Sequence, residues 1–286
     1  MISLIGCDAS FGPAAANLPD VEDETIEIAP LGPFGTAVLV AELSNGDDDD
    51  PSLTADLREV FFNRKPDGGG DIFTATRETP TGPWENIAPV TALNSASPET
   101  NQEVSADGLT IYFCRRENSV WNIYRSKRLD RESPWSEPEI VPELNSVEND
   151  YPATMADNGR RMVISSERDG ADKNLYESTR DSVEDPWSPP ISLDELNGLD
   201  NENSAFPSAD GLTLYFNSDR PGGTGDDDIY QVTRDSLVLP FGEPELVPGL
   251  NVALEDSDPW MSPDGRYIMF TRRSVAGNKQ IYEAHR

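Results

Sequence analysis

The chain has 286 residues, room for one large all-β domain or two small ones. Hydrophobic residues make up 36% of it and aromatics 8%, enough for a packed core. Its 53 acids against 22 bases leave a formal net charge of -31, a field that repels phosphate backbones and argues against nucleic acid, while metal cations, basic proteins and neutral glycans stay open as partners.

The chain begins with an apolar stretch. Leu4-Ile5-Gly6-Cys7 resembles the lipobox of bacterial lipoproteins, where a signal peptidase cuts before a cysteine that is then lipid-modified. Residues 1–7 read as a truncated signal segment, since no basic residue precedes the box. Residues 8–32 are rich in Ala, Pro and acids, lack periodicity and read as a tether. Together they predict a periplasmic or surface lipoprotein of the bacterial cell envelope, touching membrane only through Cys7. No later segment is apolar enough to span a bilayer.

From residue 33 the sequence becomes repetitive. Pro33-Phe34 is the first of five Pro-aromatic landmarks, followed by Pro83-Trp84, Pro134-Trp135, Pro186-Trp187 and Pro240-Phe241. Each leads to a Leu-Ser or Leu-Asn pair, as in Leu144-Asn145 and Leu250-Asn251. A second landmark is the turn Ser105-Ala106-Asp107-Gly108 followed by the alternating run Leu109 to Phe113. It recurs at Ser208 to Phe216 and Ser262 to Phe270, and in degenerate form at Thr54 to Phe62 and Met155 to Ile164. Asp-Gly between alternating runs is a hairpin signal, because Gly accepts positive φ and Asp caps the turn. A third landmark is Asp71-Ile72-Phe73, Asn122-Ile123-Tyr124, Asn174-Leu175-Tyr176, Asp228-Ile229-Tyr230 and Gln280-Ile281-Tyr282. Four residues after each aromatic stands an arginine: Arg77, Arg128, Arg180, Arg234 and Arg286. Cys114 closes an apolar run and reads as a buried strand thiol.

Each unit of about fifty residues therefore supplies four short strands, the blade of a β-propeller. The run Thr36 to Val40 falls at a fourth-strand position, and the chain stops after a third-strand run. The N-terminal strand is thus expected to complete the last blade, closing a five-bladed all-β propeller over residues 33–286 and removing its sheet edges. A monomer is expected.

The pattern resembles the TolB-type propeller repeat family, whose blades carry a Ser-Pro-Asp-Gly turn, an apolar strand and an Asp-Ile-Tyr strand. Ser262-Pro263-Asp264-Gly265 with Gln280-Ile281-Tyr282, and Ser208 to Tyr230, carry the likeness. The resemblance implies a propeller and, in envelope proteins, a partner-binding role. Such repeats also occur inside peptidases and hydrolases.

Positions filled alike in every blade hold the blade, so the arginines, turns and Pro-aromatic pairs read as structural. Counting six residues back from each turn gives Asp48, Glu99, Asn149, Glu202 and Asp256. Two residues nearer the turn come Asp50, Asn101, Tyr151, Ser204 and Asp258, and the two sets would form stacked rings at one end of the axis. Two readings stand. Asp48, Asp50, Glu202, Asp256 and Asp258 are oxygen donors of the type Ca²⁺ takes, or each acid bonds backbone N–H groups of the adjacent blade. Tyr151, Trp260, Asn101 and Asn149 are candidate ligand contacts, an aromatic beside polar groups being what a sugar site uses. With one histidine, His285, a Ser-His-Asp or Cys-His site is disfavoured. The expected function is a non-catalytic binding propeller for an envelope protein or polysaccharide. The alternative is a glycoside hydrolase working through Asp50, Glu99, Glu202 and Asp258.

Overall fold

The computed structural model of the protein describes residues 31–65, 70–170 and 172–286. The signal-like segment with Cys7, and the tether up to residue 30, lie outside the described residues.

The first strand, β1 (Val38–Leu39), does not pair with its neighbour in sequence. Blade one holds β2 (Asp48–Leu53), β3 (Glu59–Arg64), β4 (Asp71–Thr76) and β5 (Glu85–Pro89). Blade two holds β6 (Glu99–Val104), β7 (Thr110–Glu117), β8 (Val120–Lys127) and β9 (Glu139–Ile140). Blade three holds β10 (Asp150–Ala156), β11 (Arg161–Ser166), β12 (Asn174–Thr179) and β13 (Ile191–Ser192). Blade four holds β14 (Glu202–Pro207), β15 (Thr213–Ser218), β16 (Asp228–Thr233) and β17 (Glu245–Leu246). Blade five holds β18 (Asp256–Met261), β19 (Tyr267–Arg273) and β20 (Lys279–His285), and β1 pairs antiparallel with β20 as its fourth strand. The fold is the expected five-bladed propeller, closed by the N-terminal strand. The inner strands β2, β6, β10, β14 and β18 contact one another in a ring.

Each blade is held by the same bolt. The arginine after the third strand donates Nε to a turn carbonyl of its own blade: Arg77 to Leu57, Arg128 to Gly108, Arg180 to Gly159, Arg234 to Gly211 and Arg286 to Gly265. Its guanidinium lies 4.1–4.5 Å from the centroid of Trp84, Trp135, Trp187, Phe241 or Phe34. These arginines also reach the preceding blade, Arg77 to the Tyr267 ring at 5.9 Å, Arg128 to Glu59, Arg234 to Glu177 and Arg286 to the Tyr215 hydroxyl. The aromatics do the same: Trp135 packs edge-on to Phe61, and Trp187 donates Nε1 to the Tyr112 hydroxyl. Fully buried Phe61, Phe62, Tyr112, Phe113, Phe216 and Phe270 fill the space between sheets, each side chain stabilising by roughly 1.5–3 kcal/mol.

The degenerate turn of blade one keeps the shape of the others. Leu57 stands where Gly108, Gly211 and Gly265 stand elsewhere and takes φ 59, a left-handed conformation that a branched side chain resists. In blade three the turn is a short 3-10 segment, Asp157–Gly159, with Asn158 at φ 53.

Replacing Arg128 with Ala removes the stack on Trp135, the bond to Gly108 and the buried pair with Glu59 together. A loss of about 3–5 kcal/mol is expected in urea unfolding. Arg125→Ala, which breaks the exposed pair with Glu139, is expected to cost under about 1 kcal/mol in the same measurement.

Candidate functional site

The five inner strands share a pattern along their length. The first residue of each is a buried acid: Asp48, Glu99, Asp150, Glu202 and Asp256. Each pairs with an arginine from the second or third part of its own hairpin: Arg64, Arg115, Arg168, Arg220 and Arg272. Each also accepts a backbone N–H from the loop before the strand, donated by Asn45, Ser95, Ser146, Gly198 and Val252. The same arginines donate to the carbonyls of Leu43, Leu93, Leu144, Leu196 and Leu250. These acids staple an entering loop to a blade. Asp48, Glu202 and Asp256, expected as cation ligands, are engaged in this way, and so is Glu99, expected as a candidate catalytic acid.

In blade three the turn begins at Ala156, one residue later than Met155, so the ring member is Asp150 and not Asn149; Asp150 stands as far before Gly159 as Glu99 stands before Gly108. Asn149 instead accepts the Trp121 N–H and donates to Glu167. The third position of that strand is Pro152, and Tyr151 is second.

In four blades the third residue of the inner strand has positive φ: Asp50 (54), Asn101 (49), Ser204 (46) and Asp258 (52). Pairing with the second strand skips at this point, a β-bulge that re-aims the side chain. Proline cannot take that conformation, and in blade three the irregularity begins after Pro152.

The bulges bring acids from blades one and five together. One oxygen each from Asp49, Asp50 and Asp258 lies within 4.8 Å of the others. Asp50 accepts the Thr100 hydroxyl at 2.8 Å, the Asn101 N–H at 3.1 Å and the Asn101 amide at 3.4 Å. Asp258 accepts Ser204 at 2.7 Å and Ser257 at 3.1 Å. Lys65 Nζ stands 2.5 Å from Asp49. Lys279 Nζ stands 3.2 Å from Glu255, 3.5 Å from Asp49 and 3.9 Å from Asp258. The lysine ammonium thus sits among the oxygens where a cation would be held. With two ammoniums at the cluster, the donor set does not suit a divalent ion that needs six to eight oxygens. Asp50 and Asp258 are therefore brought together as expected, but as part of a protein ion-pair network.

The network splits the two acids. Burial, then the charges of Asp49 and Asp258, push the Asp50 pKa well above the usual carboxylate range. Burial opposes ionisation of Asp258 too, but Lys279 and the hydroxyls of Ser204, Thr271 and Ser257 outweigh it and hold its pKa low. Lys279 is held protonated because Asp258, Asp49, Asp50 and Glu255 overcome the burial that disfavours its charge.

The ligand contacts expected from sequence do not form one site. Tyr151 packs on Trp121 with Lys173 4.3 Å over its ring, in blade three. Asn101 serves the Asp50 bulge. Trp260 lies two residues beyond the Asp258 bulge, edge-on to Phe206 and Tyr267. It lines an apolar cavity of about 110 Å³ among the turns, with Leu53, Val104, Met155, Phe206 and Met261. Asp49, Lys65 and Lys279 were not among the site residues expected from sequence. Lysine scarcity was the available signal: Lys65, Lys173 and Lys279 are three of the four lysines in the chain.

No family model matches the chain, and no curated protein does. Among solved structures, it is similar to a putative TolB from Agrobacterium tumefaciens at 15% identity and TM-score 0.55, over 89% of this chain and 99% of that one. It is similar to TolB from Acinetobacter baumannii at 15% identity and TM-score 0.51, over 84% of this chain and 54% of that one, so the chain spans about half the length of that protein. An endo-arabinase from Bacteroides thetaiotaomicron matches at 12% identity and TM-score 0.61, over 89% of this chain and 98% of that one. At such identities the likeness is one of fold, a propeller shared by TolB proteins and glycoside hydrolases.

Two measurements follow from the acid network. Lys279→Met leaves Asp49 and Asp258 buried without their shared cation and is expected to cost about 3–5 kcal/mol at pH 7, with part of the loss recovered in the double variant with Asp258→Asn. Asp50 has its folded pKa raised, so its ionisation opposes folding, and its contribution falls as pH rises from the unfolded value of 3.8 through the folded one. Asp50→Asn is accordingly expected to lose less stability than the parent between pH 4 and neutrality, read from urea midpoints across pH.

Proposed function

We propose that the chain is a non-catalytic binding propeller of the bacterial cell envelope, tethered through Cys7, whose polar axial end binds a glycan rich in hydroxyl groups. The observation that carries this reading is that the protein itself engages the paired Asp50 and Asp258 carboxyls. Their lone pairs are taken up by Thr100, Asn101, Ser204 and Ser257. A carboxyl that cleaves a glycosidic bond must be free to meet the sugar or a water. Beside the pair, Asn101 and Ser204 carry an amide and a hydroxyl of the kind that meet sugar hydroxyls. The likeness to the endo-arabinase supports a sugar ligand through shared fold, and the likeness to TolB proteins supports an envelope setting.

A glycoside hydrolase is the second reading, favoured by one observation. An Asp50 whose pKa burial raises, beside an Asp258 whose pKa Lys279 and three hydroxyls hold low, is the kind of division between acid and base that such chemistry uses.

A glycan panel screened by thermal shift tests both. The expected outcome is a raised melting midpoint with at least one oligosaccharide, an effect lost in Ser204→Val, and no product in an overnight incubation of the same oligosaccharide. A ligand at a hundred times its dissociation constant adds ~2.7 kcal/mol. Reducing-end release that disappears in Asp258→Asn would establish the hydrolase instead. Mass spectrometry of membrane-extracted native protein is expected to find Cys7 diacylated or triacylated; an unmodified Cys7 would remove the anchor.

A further inference from the structure

The bolt arginine of blade three lacks the acid that two of its counterparts find. Arg128 meets Glu59 and Arg234 meets Glu177, each a carboxylate on the preceding blade. Glu59 opens the second strand of blade one, and the residue at that place in blade two is Thr110. Glu177 follows the third-strand Tyr176, and the residue at that place in blade two, after Tyr124, is Arg125. Blade two therefore offers Arg180 a hydroxyl and a second guanidinium where blades one and three offer an acid. Arg125 is itself engaged by Glu139 of its own blade. Arg180 keeps its stack on Trp187 and its bond to the Gly159 carbonyl. Beyond these it meets only the Met155 thioether, 3.9 Å away and a weak acceptor. Among the described residues it has no ion pair, and its Nη1 has no hydrogen-bond partner. None of its donors is sealed from solvent without a partner, whereas Arg77 Nη2 is. Arg77 pairs with no acid either, but the cavity beside it is lined by Glu42 and Glu283, which repel an anion.

The gap between blades two and three holds a cavity of about 520 Å³, within the ~300–1,000 Å³ of sites that take small molecules. Arg180 and Thr110 both line it, and among the described residues the Thr110 hydroxyl has no hydrogen-bond partner. The charged groups of its lining are Lys127, Arg128 and Arg180 against Asp107 and Glu184. Arg128 is engaged by Glu59 and by the carbonyls of Gly108 and Arg131. Asp107 is engaged within its own turn, where it accepts the Ser105 hydroxyl and the Leu109 N–H. Glu184 is exposed. The half-buried group left unmatched is the Arg180 guanidinium, with the exposed Lys127 as a second cation that has no ion pair among the described residues. On a chain of net charge -31 a local excess of cations is an exception, and it is what an anion needs.

Glu59 and Glu177 show what such a guanidinium accepts: a carboxylate, whose two oxygens match the planar fork. A phosphate carries more charge and would face Asp107 and Glu184 with one free guanidinium to offset it. Beside the charged groups, Leu109, Val183 and Met155 give the cavity apolar walls. Burial first, and the Arg125 charge after it, hold the Arg180 pKa below the usual guanidinium value, against Tyr112 and Glu184. This cation thus bears a desolvation cost that no paired acid offsets.

We propose that the cavity between blades two and three binds a small organic carboxylate, its two oxygens on Arg180 and its short apolar body against Leu109, Val183 and Met155. The ligand's carboxylate takes the place that Glu59 and Glu177 hold in two of the other gaps. No bond of the ligand is made or broken. The proposal does not rest on the glycan reading, whose polar network lies at the other end of the inner strands.

The experiment is isothermal titration of the full chain at pH 7, in a buffer free of carboxylate and phosphate, with hexanoate, its neutral isostere hexanamide and inorganic phosphate. Hexanoate is expected to bind at least about tenfold more tightly than either of the others, with an affinity that falls as salt rises. Removing Arg180 would also remove the bolt of blade three, so the deciding variant is Thr110→Glu, which puts an acid opposite Arg180 as Glu59 stands opposite Arg128. It is expected to abolish hexanoate binding and to raise the melting midpoint, because the new carboxylate pairs with Arg180. Thr110→Val, which leaves the guanidinium unmatched, is expected to keep the hexanoate affinity within about threefold. Equal affinity for hexanoate and hexanamide, phosphate binding as tight as hexanoate, or undiminished hexanoate binding in Thr110→Glu would each overturn the proposal. So would a loss in Thr110→Val equal to that in Thr110→Glu, or no saturable response of the parent chain at tens of millimolar hexanoate.

Discussion

An arginine laid flat on an indole or phenyl ring, with its Nε on a turn carbonyl, is the contact on which this propeller depends. It ties three points of a blade that are distant in sequence: the end of the third strand, the turn between the first two, and the entry to the fourth. The guanidinium makes the ring stack and the turn bond at once with a planar geometry that lysine lacks, and all five positions are arginine. Where the group also reaches Glu59, Glu177 or Tyr215, the bolt of one blade sets the position of the one before it.

The second repeated device works at the opposite end of the inner strand. Five buried acids and their arginines fasten each interblade loop, so the highly acidic composition is partly structural and not only a solvated surface. What distinguishes the blades is left to the residues between these two fixed ends. There the bulge turns a side chain toward the axis whatever its identity, and the chain places Asp, Asn, Ser and Asp at the four left-handed positions. The polar network and the apolar cavity follow from those few variable residues.

The repeat was legible because its landmarks are chemically costly to replace. Arg77 to Arg286, the Pro-aromatic pairs and the Asp-Gly turns recur at constant spacing, and each proved to be part of one contact. The ring closure was legible from a fourth strand placed first. The site was less so, for three physical reasons. Counting back from Met155 started one residue early, because the degenerate turn of blade three begins at Ala156, and this put Asn149 and Tyr151 into places held by Asp150 and Pro152. Acids of the two rings looked alike in sequence, yet Glu202 meets Arg220 while Asp258 meets Lys279, and those partners come from other parts of the blade and, for Asp49, from another blade. The bulge separates Asp258 from Trp260 by a change of direction that period-two alternation does not contain, so the two fell in one expected site and lie in different surroundings.

The pairing of β1 with β20 carries a kinetic meaning as well. Ser44 bonds the backbone of Ile281 across 237 residues of chain, whereas the hairpins inside blades one to four join neighbours in sequence. The entropy of closing so long a loop is met only when the intervening blades have already shortened the distance. The β1–β20 pairing is then the last to form, and until it does, the outer edge of β20 and the single strand near Val38 are each exposed for pairing with another molecule. The chain is most vulnerable to strand exchange between copies in that interval, and a circular permutant with its break in an interblade loop elsewhere would move the vulnerable edge to a different blade.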